Sequence, residues 1–232
     1  MNNFDGQLNL YPEVCLDNFE SNCIFNAKIK CYILSHFHDD HMHNLEDPSF
    51  HRLLKDGLNY GIQFLCSPIT KKFISTCDKY SHLSQLCREV ACETPVIVKI
   101  SSKDSITVTF CGSGHCPGSV MVFIEGMRGN VLFTGDFRLP LSSASRLPFL
   151  KQNNNQSKLK KVDDLYVDMT FFKPEIPYIP NREESVKALL SFIHSFLDER
   201  DKAPNFKNLI YLKTSARIGR LQQKLKLKYN LF

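Results

Sequence analysis

The chain of 232 residues is 43% hydrophobic and 23% charged, with a formal net charge of +5. That balance excludes disordered and collagen-like polymers and fits a folded protein with one large core, or one core and part of a second. The mild basicity tolerates a polyanionic partner without demanding one.

The opening stretch, Met1 to Val14, has no basic flank and no apolar run, so no secretory signal is expected. No segment approaches the roughly 18 apolar residues of a membrane span. Nine cysteines without a CxxC pair are expected to be mostly buried thiols in a reducing compartment, the cell interior. Lys30 to Leu34 is a short β-prone run that empties into a polar cluster at Ser35. Gln63 to Cys66 reads as a strand, Ser67-Pro68 as a helix entry and Ile69 to Cys77 as the helix. Val96 to Ile100 and Ser105 to Phe110 are two more strands. Val120 to Ile124 and Val131 to Thr134 form a hairpin around Gly126 to Asn130.

From Leu141 to Lys161 the chain is rich in Ser, Asn, Gln and Lys without period, which predicts an exposed connection. Strand character returns at Asp164 to Val167. Asn181 opens a helix, with Glu184 in capping-box position and the stripe Val186, Leu189, Leu190, Ile193, Phe196 and Leu197 on one face. Asn208 to Leu212 reads as a last strand, and the basic tail from Ala216 as a short amphipathic helix. Mixed elements of this kind predict an α/β or α+β fold with helices flanking sheets.

The chemistry concentrates in His36-Phe37-His38-Asp39-Asp40-His41, directly after a strand. Residues i and i+2 of an extended segment point the same way, so His36 and His38 can grip one metal, while Asp40 and His41, past a bend, can face a second. Imidazole and hard oxygen ligands suit zinc, with manganese or iron as substitutes. A solvated polar loop is the plain alternative, and so dense a ligand set argues against it. Two further loops offer ligands: Gly112 to Ser119 contains His115 among glycines that permit close backbone approach, and Thr134-Gly135-Asp136-Phe137 places a carboxylate after a strand. Each alone is weak; their value lies in the set. Asp168, in Val167-Asp168-Met169-Thr170-Phe171, reads by itself as a strand-end carboxylate capping a turn.

The motifs HxHxDH, GHCPGS and TGDFR, in this order, resemble the metallo-β-lactamase superfamily. With Phe4 to Gln7, Gly114 to Met121, Thr134 to Leu139 and Pro180 to Glu184, the chain is similar to the β-CASP nucleases of DNA repair, from its start to about residue 212. The resemblance implies an αββα sandwich, here incomplete, over residues 1–175, and the beginning of a β-CASP domain with a divergent tail over 176–232.

The same resemblance implies that His36, His38 and His115 hold one metal, Asp40 and His41 the other, and that Asp136 bridges both. Asp168 falls at the first β-CASP motif and would hydrogen-bond a ligand histidine; with Asp40 and Asp136 it makes the candidate catalytic set. Asp40 would orient or deprotonate the attacking water. The implied cofactor is Zn2+, one or two ions, with Mg2+ or Mn2+ as options at the second site.

The implied activity is 5′-3′ exonuclease and structure-specific endonuclease cleavage of DNA (single strands, ends, hairpins, overhangs) in non-homologous end joining and cross-link repair. End-joining kinase and ligase complexes are the implied partners, the nucleus the implied location, and no membrane is involved. Two departures stand out. The family's late histidine ligand has no counterpart, since no histidine follows His194, so the chain looks C-terminally truncated; and Asn44 stands where the family has glycine. A truncated form that binds DNA or a repair partner without turnover is therefore the alternative, with a small-molecule hydrolase of the same superfamily a distant third.

Overall fold

Alternating burial along the strands decides the layers. In β1 (Val14–Leu16), β2 (Cys31–Leu34) and β3 (Gln63–Cys66), successive residues belong by turns to two different cores, as a strand's two-residue side-chain period requires. The computed structural model describes residues 4–139, 147, 150–152 and 155–200. This described part divides after Asp168 into two compact units.

In the first unit, β1, β2, β3 and β4 (Cys87–Glu89) form a parallel sheet in sequence order. A parallel sheet needs both faces covered. One face is covered by α1 (Ser21–Ile24), α2 (Pro48–Gly57) and α3 (Pro68–Thr76), where Tyr32, Leu34, Phe64 and Cys66 meet Phe50, Leu54 and Ile74. The other face, with Cys31, Ile33 and Leu65, packs on a second sheet.

That second sheet has the order β11-β8-β7-β6-β5. It is built from β5 (Val96–Lys99), β6 (Ser105–Gly112), β7 (Val120–Gly126), β8 (Gly129–Phe133) and β11 (Asp164–Tyr166). Only β11 joins in parallel, against β8; the other neighbours are antiparallel. Val108, Phe110, Val122, Ile124 and Val131 fill the space between the sheets. The outer face carries Met121, Phe123 and Leu132 against Leu139, Leu147, Leu150 and Val162. The result is a mixed α/β sandwich whose helical layer, among the described residues, covers one side. No helix among these residues is long and apolar enough to cross a membrane, and all nine cysteines are free, six of them buried.

Several sequence expectations are corrected. The hairpin between β7 and β8 is not a five-residue loop: Gly126 pairs with Gly129, leaving Met127 and Arg128 as a two-residue turn. The connection after Leu141 is not free of elements, because β9 (Lys151–Gln152) and β10 (Asn155–Leu159) pair antiparallel. The sequence reading also passed over β1, α1 and β4, which are three or four residues long, and α2, although its Phe50, Leu54 and Gly57 fall at helical spacing.

In the second unit, α4 (Arg182–Arg200) opens on the expected capping box. Glu184 N–H donates to Asn181 Oδ1 at 2.9 Å, and Asn181 N–H to Glu184 Oε2 at 2.8 Å. Val186, Leu189, Leu190 and Phe196 of its stripe are exposed. The strand expected at 208–212 and the basic tail lie outside the described residues.

Candidate metal centre

The parallel sheet ends at its carboxyl edge in the loop that follows β2, where His36 is fully buried and His38 half-buried. The chain then turns sharply, His41 N–H bonding His38 O at 3.0 Å, which brings Asp40 and His41 back toward the same point. Asn44 takes φ 63°, a left-handed conformation that asparagine tolerates, so the turn survives without glycine.

The other candidate ligands come from the second sheet. The loop from Gly112 to Ser119 joins β6 to β7, and Ser113 N–H closes its neck on Ser119 O at 3.1 Å. Gly114 has φ +71°, and a Cβ there would stand 2.6 Å from Arg138 O, so glycine is what lets the His115 loop lie against the Asp136 loop. Ser113 Oγ donates to Asp136 O at 2.7 Å and fastens the two loops together. Val120 N–H bonds Ser35 O at 3.0 Å, tying them to the end of β2. On the other side, Ser67 caps α3 by accepting from Thr70 N–H at 3.2 Å and donates to Gly118 O at 2.7 Å.

These connections bring six of the predicted residues together. His38 Nδ1 lies 3.1 Å from both His36 Nε2 and His115 Nε2. Asp136 Oδ2 is 3.4 Å from His115 Nε2 and 3.8 Å from His36 Nε2. The ligand atoms of His36, His38, His115 and Asp136 all fall within 4.8 Å of one another, so this set could hold a cation. On its far side Asp136 Oδ1 stands 3.3 Å from His41 Nε2, which in turn lies 3.7 Å from Asp40 Oδ2. Asp136 therefore faces both groups, and Asp40 is the most exposed member, at 68%.

Asp168 sits at the end of β11, with its N–H on Thr134 Oγ1 at 3.0 Å, two residues ahead of Asp136 in the chain. His43 and His194 are exposed and outside the cluster.

The electrostatics suit a cation on the side of His36 and His38. Burial, reinforced by His41 and His38, lowers the His36 pKa to about 2, so its imidazole stays neutral and keeps a lone pair. Burial and the nearby His115 lower His38 in the same direction. His41 is opposite: burial opposes its charge, but Asp136 and Asp17 outweigh that and raise it to about 10. Asp136 is held down to about 2, first by the hydrogen bond with His41. Three imidazole nitrogens converging beside a low-pKa carboxylate cannot all be satisfied by each other, since at most one proton fits between any pair. A metal ion resolves that crowding, so the donor set fits one.

Asp17 was missed by the sequence reading. It follows β1 with φ 51°, its carboxylate is buried, and Oδ2 lies 2.9 Å from His41 Nδ1 and 2.5 Å from Ser35 Oγ. Asp17, His36 and His41 also form a possible ligand triplet by distance. Because Asp17 Oδ2 is engaged on the nitrogen of His41 that faces away from Asp136, we read it as a support for ligands. The signal available in sequence was an aspartate closing a short apolar run, too common to single out.

No protein-family model matches the sequence. The chain is 35% identical over 224 residues to the protein Artemis of Rattus norvegicus, covering 94% of this chain and 30% of that protein. It is 27% identical over 167 residues to the 5′ exonuclease Apollo of the same species, covering 72% of this chain and 27% of that protein. Among solved structures, the metallo-β-lactamase fold protein YhfI of Bacillus subtilis aligns with a TM-score of 0.40 and 18% identity, over 60% of this chain and 55% of that one. The chain thus spans about three tenths of the length of the curated relatives it matches.

Proposed function

Because the chain is Artemis-like over most of its length, with the motifs of the metallo-β-lactamase/β-CASP proteins, we propose that its site belongs to a metal-dependent DNA nuclease. The observation that carries this reading is the convergence of three imidazole nitrogens on one face of Asp136, with His41 and Asp40 on the other. His36, His38 and His115 would hold one zinc ion, Asp40 and His41 a second ion (zinc, magnesium or manganese), and Asp136 would serve both. Bound there, the metals supply Lewis-acid polarisation of a phosphodiester and acidify a water.

The residues do the rest. Asp40, exposed and beside His41, is the carboxylate best able to receive a proton from the attacking water. Asp136, anchored through its carbonyl by Ser113, keeps its two oxygens aimed at the two groups. Asp168 is a positioning residue: its backbone braces Thr134 and so the strand end that carries Asp136. Buried His36 and His41 form a dry floor on which charge interactions are strengthened.

The substrate would be DNA with single strands, ends, hairpins or overhangs, cut by 5′-3′ exonuclease and structure-specific endonuclease action. The setting would be nuclear end joining and cross-link repair, beside an end-joining kinase and ligase. A second reading is a form that binds DNA or a repair partner without turnover; the observation that favours it is that, among the described residues, the carboxylates paired with His41 Nε2 are Asp40 and Asp136 alone.

Metal content of the purified chain, measured beside cleavage of a 5′-phosphorylated single strand by wild type and Asp136→Ala, separates the two. Two metals and cleavage lost in the variant support the nuclease. One metal or none, with cleavage no higher than in the variant, leaves the binding form.

A further inference from the structure

We propose that Ser35 is a positioning residue that fixes the tautomer of His36 and, through Asp17, couples the two halves of the centre so that they load metal together; this rests on the reading of the cluster as a metal centre. Counting donors and acceptors carries the inference. Ser35 has one hydroxyl proton, and its Oγ lies 2.5 Å from Asp17 Oδ2 and 2.9 Å from His36 Nδ1. An ionised carboxylate only accepts, so the hydroxyl proton goes to Asp17, and toward His36 the oxygen can only accept. His36 therefore carries its proton on Nδ1 and turns the lone pair of Nε2 toward His38 and Asp136.

The same Asp17 Oδ2 also receives the Nδ1–H of His41, 2.9 Å away, and leaves His41 Nε2 facing Asp136 and Asp40. One carboxylate oxygen thus orients an imidazole in each half, directly for His41 and through Ser35 for His36. The node is firmly held. Ser35 and His36 are both fully buried, Ser35 N–H donates to Asp17 Oδ1 at 2.7 Å, and Ser35 O accepts from Val120 N–H. Gly135 leaves the space, since a Cβ there would press on Ser35 Oγ at 3.1 Å.

Removing the hydroxyl takes away the acceptor on His36 Nδ1 and one of the two donors on Asp17 Oδ2. His36 is then free to exchange tautomers, and Asp17 answers to His41 alone. The two halves should lose their common reference, even though no metal ligand has been changed.

The test uses the full chain, as wild type, Ser35→Ala and Ser35→Thr, with two readouts. Nitrogen-15 NMR of the histidines in metal-free protein reports the tautomer. Titration of zinc against a chromophoric chelator reports affinity and the number of steps. The expected result is an Nδ1–H tautomer for His36 and concerted uptake of two zinc ions in wild type. Ser35→Ala should give mixed tautomers, zinc binding weakened about ten- to a hundredfold and uptake split into two steps; Ser35→Thr, which keeps the hydroxyl, should restore the tautomer.

A Ser35→Ala protein with the wild-type tautomer and zinc isotherm overturns the proposal. If Ser35→Ala does not fold, the wild-type spectrum decides, because a proton on His36 Nε2 in the metal-free chain contradicts the relay and one on Nδ1 upholds it. A wild type that keeps the Nδ1 proton but takes up no zinc overturns the metal reading and the coupling with it, leaving only the hydrogen-bond arrangement.

Discussion

The parallel sheet hands over His36, His38, Asp40 and His41 on one loop after β2, whereas the mixed sheet contributes His115 and Asp136 from two separate loops. The first contribution is local: a strand that stops, a sharp turn, and candidate ligands within six residues of each other. The second depends on β6, β7 and β8 lying in register, on Gly114 admitting Arg138 O, and on Ser113 joining the loops. A contiguous cluster can thus propose a metal site, but the dispersed half closes it. Asp136 is the residue on which the two meet.

The sharpest way to break this comparison is Asp136→Ala. Both groups lose the carboxylate between them, and the DNA cleavage proposed for this centre should fall about a thousandfold, the upper range for deleting one preorganised charge-stabilising group. Single-turnover cleavage at saturating zinc checks it, and a variant retaining most of the rate would mean that the contiguous half suffices.

Gly114→Ala should act almost wholly on the dispersed half. A Cβ 2.6 Å from Arg138 O, at φ +71°, forces the loops apart, at a cost of about 1–3 kcal/mol in urea unfolding. Weaker zinc binding, read by chelator competition, should accompany it. Ser67→Ala cuts the shorter of two links between α3, which packs on the parallel sheet, and Gly118 in the loop of the mixed sheet, leaving Thr70 Oγ1 on Gly118 O at 3.3 Å. It removes a helix cap and a bond to a backbone carbonyl, worth about 1 kcal/mol of thermal stability. A larger loss of zinc affinity than of stability would show the tether to be more than a cap.

The smallest effect is expected at Asn44→Gly in the contiguous half. Relief of φ 63° offsets the greater freedom of the unfolded chain, and the change in melting should correspond to less than about 1 kcal/mol of either sign.

Sequence alone was informative where the physics is short-range. β2 and β3 announced themselves as apolar runs ended by polar residues, and Asn181 with Glu184 marked a helix start whose two reciprocal bonds both form. It was less informative where partners lie far apart. The run from Gly126 to Asn130 marks a hairpin turn by composition, but only the register shows that Gly126 and Gly129 are its paired ends. β9 and β10 arise in a polar stretch with no alternation to betray them. Asp17 stayed hidden because its importance depends on Ser35 and His41, which reach it across the parallel pairing of β1 with β2 and a turn in the chain.

The two-residue turn at Met127 and Arg128 has a practical consequence. Arg128 clasps both carboxylate oxygens of Glu13, at 2.9 and 3.0 Å, bonds Leu10 O and Asp104, and stacks over Tyr11, whose hydroxyl donates to Gly129 O. Leu10, Tyr11 and Glu13 thus grip the tip of the hairpin whose second strand runs on to Asp136. A bulky affinity tag or a cut that displaces the region around Leu10 to Glu13 would loosen that tip and could depress metal loading without touching a ligand. For recombinant work on this chain, the tag belongs elsewhere.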